Sequence, residues 1–249
     1  MTYCLGILLR EGLVIAADSR TNAGVDYIST FRKLTVFEKP GDRVIVMASA
    51  GNLATSQAVI SHVSERLGER KGEESLFRTR SMFNAARIVG NTLRDVVRET
   101  GEGVTEAGGD PTASFLLGGQ IKGRPPRLFM IYAAGNFIEA TPETPFLQIG
   151  ENKYGKPILD RTIASGMPMA RAVTATLLSF DSAMRSNLSV GPPIDIVTVL
   201  NGSQRVDRHT VIEIDDPYFR KLRTRYGQGI VALFDRMPDP DMDSWPDGT

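Results

Sequence analysis

The stretch that decides the fold is Met1-Thr2-Tyr3-Cys4-Leu5-Gly6-Ile7-Leu8-Leu9-Arg10-Glu11-Gly12-Leu13-Val14-Ile15-Ala16-Ala17-Asp18-Ser19-Arg20. Two apolar runs, Tyr3 to Leu9 and Leu13 to Ala17, flank Arg10-Glu11-Gly12. That pattern predicts a β-hairpin, with Gly12 available for a positive φ. In an antiparallel pair the indices of facing residues sum to a constant, and a turn centred near Arg10 and Glu11 makes that sum about 21. Thr2 is therefore expected opposite Ser19, within one residue, so the start of the chain lies against Asp18-Ser19-Arg20. Loss of Met1 would leave Thr2 with a hydroxyl and a free α-amine, which is one way to build a nucleophile that needs no histidine.

The remainder of the chain bounds this reading. A length of 249 residues with 41% hydrophobic and 23% charged residues suits a globular fold with a sizeable core. A formal net charge of zero argues against a nucleic-acid partner, which usually requires a basic excess, and gives no attraction to a membrane surface. The single cysteine, Cys4, permits neither an internal disulfide nor a zinc cluster. A cytoplasmic setting with no metal and no cofactor is expected. The first apolar run lacks a preceding basic region and is interrupted by Gly6 and Arg10, so it does not read as a signal peptide. The two histidines, His62 and His209, lie far apart in sequence, and neither suggests a triad.

Along the chain, Thr21 to Thr30 reads as a polar loop. Strands follow at Arg32 to Phe37 and Arg43 to Ala50, and a helix at Leu53 to Leu67. Glu69 to Thr79 reads as a charged connector. A second amphipathic helix spans Ser81 to Thr100, with Gly101 to Asp110 as a loop. Strands are expected at Ala113 to Leu117, Leu128 to Ala133 and Phe137 to Ala140, the first two joined by Gly118 to Pro126. Phe146 to Ile149 leads into a short helix ending near Leu159, and a longer helix spans Pro168 to Met184. Further strands cover Ile194 to Leu200 and Thr210 to Ile214. Asp216-Pro217 starts a last helix reaching about Arg236. Strands grouped in hairpins favour two antiparallel sheets with helices on their faces over a doubly wound parallel sheet. One domain is expected over residues 1–237, with 238–249 as an acidic, proline-rich tail.

Three side chains converge chemically. Thr2 supplies a hydroxyl, Asp18 lies across the hairpin, and Lys33 opens the next strand. An ammonium held by a carboxylate beside a hydroxyl favours the alkoxide. The base is either the α-amine or a neutral lysine. Ser49-Ala50-Gly51-Asn52 occupies a strand-to-helix junction, where unpaired N–H groups can hold an oxyanion. Taken singly, Thr2 is often only a residue that permits Met removal, Asp18 a turn residue, Lys33 a solvated charge and Gly51 a cap. Cys4, inside the first strand, reads as core.

Thr2 with Gly6, then Val14-Ile15-Ala16-Ala17-Asp18-Ser19-Arg20, Gly24, Lys33 and Ala48-Ser49-Ala50-Gly51 resemble proteasome β-subunits, which are N-terminal-nucleophile hydrolases. Asp18 through Asp26, Ile28 through Lys33, Gln148 through Asp160 and Val190 through Asp195 resemble the Anbu-type bacterial relatives more closely still. The resemblance covers nearly the whole chain except the tail. It implies an α+β fold, the four-layer αββα sandwich, and an active threonine-type peptidase. It further implies Thr2 as nucleophile, Asp18 and Lys33 as its supporting acid and lysine, and the Gly51 N–H as oxyanion donor. Asn22 would pair its backbone with an extended peptide, while Ser49 and Leu53 would line the first specificity pocket. The partners it implies are a peptide or unfolded-protein substrate and further copies of the chain in a ring or spiral. The sequence names no unfolding ATPase partner.

The match is incomplete. Only Met1 precedes Thr2, in place of a propeptide, and the spacing from Thr2 to Lys33 is one residue shorter than in ordinary β-subunits. Glu151 stands where the family carries a serine, and the later aspartate and serine fall near Asn187 and near Ser189 or Val190. These exchanges keep two other functions in view: a self-assembling shell that binds peptides with little hydrolysis, and an amidase acting on a small amide.

Overall fold

In the computed structural model, residues 2–22, 28–68 and 74–242 are described, and for residues 21, 22 and 28–30 the backbone alone. Gly24, part of the 69–79 connector and the end of the expected tail lie outside them. Strands β1 (Tyr3–Leu9) and β2 (Gly12–Asp18) form the opening hairpin. Its pairs, Cys4 with Ala17 and Leu5 with Ala16, sum to 21 as expected. Gly12 takes φ +145°, and a Cβ there would lie 1.9 Å from the Val199 carbonyl oxygen, so glycine is required by both backbone and space.

The chain continues through β3 (Arg20–Asn22), β4 (Ile28–Thr30), β5 (Leu34–Lys39) and β6 (Arg43–Gly51) to helices α1 (Leu53–Glu65) and α2 (Met82–Glu106). Strands β7 (Ala113–Ile121), β8 (Arg127–Ile131), β9 (Phe137–Glu139) and β10 (Phe146–Gly150) follow. Then come α3 (Lys156–Thr162), α4 (Met169–Ser186), β11 (Ile194–Leu200), β12 (Arg208–Ile212) and α5 (Pro217–Phe234). One antiparallel sheet runs β10-β1-β2-β11-β12, another β5-β6-β7-β8-β9, and β3 pairs with β4.

Strand periodicity sorts the core into layers. In β6, Val44, Val46, Ala48 and Ala50 face the other sheet, meeting Cys4, Leu13, Ile15 and Ala17. Ile45 and Met47 point the opposite way, into a cluster with Val59 and Val63 of α1 and Ala85, Val89 and Leu93 of α2. On the far face of the first sheet α4 packs over β1 and β2, with the rings of Tyr3 and Phe180 4.5 Å apart. The result is the expected αββα sandwich of α+β class.

Three local readings are corrected. The polar 21–30 stretch contributes to two paired strands of three residues each, too short and too polar to show the apolar run that marks the longer ones. Helix α2 runs through Gly101 to Glu106, because Gly101 is buried against Val97 and Pro111 and its carbonyl accepts from the Thr105 hydroxyl at 2.9 Å. Strand β7 passes through Gly118 and Gly119, where a Cβ would approach the Ile15 side chain to 2.6 Å and the Val44 carbonyl to 2.3 Å. Gly118 serves close packing of the two sheets, and Gly119 a close approach to β6 and to Met82 of α2, and neither marks a turn.

The chain divides into two compact units, the second beginning at Asp215. That unit carries α5, capped by the Asp216 carboxylate accepting from the Phe219 N–H at 2.8 Å. Ile230, Val231, Leu233 and Phe234 are exposed along its last turns.

Candidate active site

The opening hairpin delivers Asp18 to the chain start. The Tyr3 N–H donates to Asp18 Oδ1 at 3.0 Å, and Lys33 Nζ donates to the same oxygen at 2.8 Å. Lys33 precedes β5, and its Nζ also donates to the Arg20 carbonyl at 2.5 Å. The second carboxylate oxygen, Oδ2, accepts from the Gly191 N–H at 3.4 Å. Asp18 has no exposed surface and Lys33 only 5%. Burial pushes the Asp18 carboxyl above its ordinary value, opposed by the Lys33 ammonium and by the Tyr3 and Gly191 N–H groups. A buried ion pair is a poor device for stability, since an apolar pair of the same volume often serves as well. Its presence beside Thr2 calls for another reason.

Thr2, half-buried, is clamped from the other side. Tyr3 pairs with Gly150 of β10, and the Glu151 N–H donates to the Thr2 carbonyl at 2.7 Å. Gly150 takes φ +80°, and a Cβ there would lie 1.9 Å from the Thr2 carbonyl oxygen and 3.5 Å from the Ala50 side chain. Gly150→Ala is therefore expected to displace the chain start and to cost about 1–3 kcal/mol of stability, measured by urea unfolding. Unchanged unfolding would contradict the tight approach.

Ala50 leads directly into Gly51. The Ser49 N–H donates to the Lys33 carbonyl at 3.0 Å, and the Asn52 N–H donates to the Thr112 carbonyl at 2.8 Å on the opposite side. Strand alternation directs the Gly51 N–H to the Lys33 side, beyond the start of β5. Gly51 has φ +109°, with Thr112 oxygen 2.5 Å from where a Cβ would sit. The Asn52 side chain caps α1 through the Thr55 N–H at 3.1 Å.

Asp18 thus joins Lys33 to the main chain directly after Thr2, and Gly51 stands next to Gly150 by way of Ala50. Ser49 is buried, and its hydroxyl turns back to the Lys33 carbonyl at 3.5 Å. Leu53 opens α1, half-buried, two residues past Gly51. Asn22 ends β3, paired with Ile28. Cys4 is fully buried, and burial first and then the nearby Asp18 charge push its thiol well above the ordinary range, which removes it as a thiolate.

Several contributors have no local signal. The Arg20 guanidinium donates to the Leu188 carbonyl at 2.9 Å and lies where a Cβ on Gly191 would meet it at 2.3 Å. The Ser19 N–H donates to the Pro193 carbonyl at 2.9 Å. The Tyr3 hydroxyl bonds the Ser179 hydroxyl at 2.6 Å and accepts from the Gln148 amide at 2.7 Å. The Gly150-Glu151 dipeptide closing an apolar run and the Gly191-Pro192-Pro193 sequence are the marks that could have pointed to these loops.

A sandwich of two antiparallel sheets between helix pairs, with a buried aspartate–lysine pair at the start of its first strand, defines the proteasome-like N-terminal-nucleophile fold. The family model described as "Proteasome subunit" matches residues 2–199. Anbu, an ancestral β-subunit from Yersinia bercovieri, shares 45% sequence identity over 96% of this chain and 99% of its own, with a TM-score of 0.90. The chain in the helical assembly of the Anbu complex from Pseudomonas aeruginosa shares 45% over 97% and 99%, also with a TM-score of 0.90. The proteasome subunit beta of Haloferax volcanii is 26% identical over 85% of this chain and 79% of its own. This chain belongs to the proteasome subunit family, as an Anbu-type β-subunit homologue.

Proposed function

We propose that the protein is a threonine peptidase that hydrolyses peptide bonds with Thr2, exposed by removal of Met1, inside a homo-oligomer in the cytoplasm. The observation that carries this is the shared acceptor Asp18 Oδ1, which takes one hydrogen bond from the main chain directly after Thr2 and another from Lys33. The pair fixes the Lys33 side chain 2.8 Å from a buried carboxylate that also holds the main chain directly after Thr2, and a cation there favours ionisation of the Thr2 hydroxyl.

In the proposed reaction the Thr2 hydroxyl oxygen attacks the peptide carbonyl carbon, and its proton passes to the α-amine. The tetrahedral oxyanion is held by the Gly51 N–H. Its collapse breaks the C–N bond, the amine leaves with a proton, and the acyl group remains as an ester on Thr2. Water then hydrolyses that ester. An extended substrate would lie along the backbone at Asn22, with its side chain toward Ser49 and Leu53.

The test is hydrolysis of a fluorogenic peptide library by the purified full chain. Release that is lost after treatment with a threonine-directed electrophile supports the reading; no release from any peptide by processed protein overturns it. Self-association is part of the proposal, supported by the helical assembly formed by the Pseudomonas aeruginosa relative. Light scattering at micromolar concentration is expected to give many times the mass of one chain, and the mass of a single chain would rule the compartment out.

A further inference from the structure

We propose that Glu151 is a positioning residue whose carboxylate ties together the two loops that hold Thr2 and Asp18. Only the catalytic arm of its test rests on the reading of Thr2 as nucleophile. Glu151 is 6% exposed, and both carboxylate oxygens are used. Oε1 accepts from the Lys153 N–H at 2.9 Å, which folds the loop after β10 onto itself. Oε2 accepts from the Asn187 side-chain amide at 2.9 Å, which reaches across to the loop after α4. Burial alone would raise this carboxyl, but the Lys153 N–H, the Asn187 amide and the Tyr154 N–H outweigh it and hold the group ionised.

Each end of this tie continues into the site. The Glu151 main-chain N–H donates to the Thr2 carbonyl at 2.7 Å. From Asn187 the chain turns tightly: its Oδ1 accepts from the Ser189 N–H at 3.0 Å and its carbonyl from the Val190 N–H at 3.1 Å. The next residue, Gly191, donates its N–H to Asp18 Oδ2 at 3.4 Å. One carboxylate therefore sets the distance between the segment gripping Thr2 and the segment gripping Asp18. A cavity of about 590 Å³, lined among others by Tyr154, Asn187 and Leu188, opens beside the tie.

The donor pattern gives a sharp test. In Glu151→Gln the carbonyl oxygen can still accept from the Lys153 N–H, but the new amide meets the Asn187 amide donor to donor. Adding Asn187→Asp restores an acceptor, so the bond re-forms with its direction reversed and the net charge kept. Hydrogen exchange by mass spectrometry on peptides spanning 146–155 and 187–193 reads positioning without any substrate. Faster exchange in E151Q, and a return to the wild-type rate in E151Q/N187D, is expected. The rate at which a threonine-directed electrophile labels Thr2 is expected to fall about 10- to 100-fold in E151Q, as for a small displacement of a reacting group, and to recover in the double variant.

Wild-type exchange in E151Q overturns the proposal. So does a loss in E151Q, of exchange protection or of folding, that N187D fails to restore, because that is general damage and not a lost pair. If wild-type protein is never labelled while exchange behaves as described, the positioning role stands and the peptidase reading falls.

Discussion

Thr2→Ala is expected to abolish peptide hydrolysis in protein that has lost Met1, by a factor on the order of 10⁴–10⁶, as when other activated hydroxyl nucleophiles are removed. The fold should survive, because Thr2 is only half-buried and the contacts fixing its segment come from main-chain atoms, the Thr2 carbonyl and the Tyr3 N–H. Unfolding free energies within about 1 kcal/mol of wild type are expected, as for most substitutions outside a core. Thr2→Ser, which keeps a hydroxyl on the same carbon, should retain measurable turnover. Hydrolysis that persists in Thr2→Ala would move the nucleophile elsewhere, and Cys4 does not qualify, since it is fully buried in the sheet interface.

Lys33→Ala should damage both activity and stability. It strands the Asp18 carboxylate, which has no exposed surface, without its cation, and breaking a buried pair from one side costs roughly 3–5 kcal/mol. The loss should depend on pH with a definite sign. Burial already holds Asp18 above its ordinary 3.8 in the folded protein, and removing the ammonium raises it further. The folded state then keeps a proton that the unfolded state releases, so stability falls as pH rises from about 4 through the folded value. The deficit of Lys33→Ala against wild type should be smallest in acid and grow toward neutrality, read from melting temperatures across pH. The double variant Asp18→Asn/Lys33→Met removes both charges and keeps an acceptor for the Tyr3 N–H. It should recover most of the stability and none of the activity. A double variant that hydrolyses peptides would show that the pair serves the fold alone.

What the sequence reveals divides along sequence separation. The hairpin register could be counted because its turn is local, and it set Thr2 opposite Ser19, within one residue, with the chain start against Asp18-Ser19-Arg20. The layers followed from apolar strands grouped in hairpins and from amphipathic helices such as α2. The grip on Thr2 was not legible in the same way. The Glu151 N–H to Thr2 carbonyl bond and the Arg20 to Leu188 contact join residues from opposite parts of the chain, and no periodicity encodes which loops meet. Glu151 stood out only as a departure from the family pattern. Its buried carboxylate and reach to Asn187 come from tertiary structure alone. The glycines misled for a related reason. Gly101, Gly118 and Gly119 look like punctuation locally but answer to neighbours brought close by packing.

The proposed peptidase activity requires that Thr2 be a free and reactive N-terminal threonine. Intact-mass analysis of the purified full chain before and after a threonine-directed covalent inhibitor tests it directly. A starting mass lacking Met1 is expected, then a single adduct that fragmentation places on Thr2 and that is absent from Thr2→Ala. Retention of Met1, or a processed chain that takes up no adduct at Thr2, would contradict it.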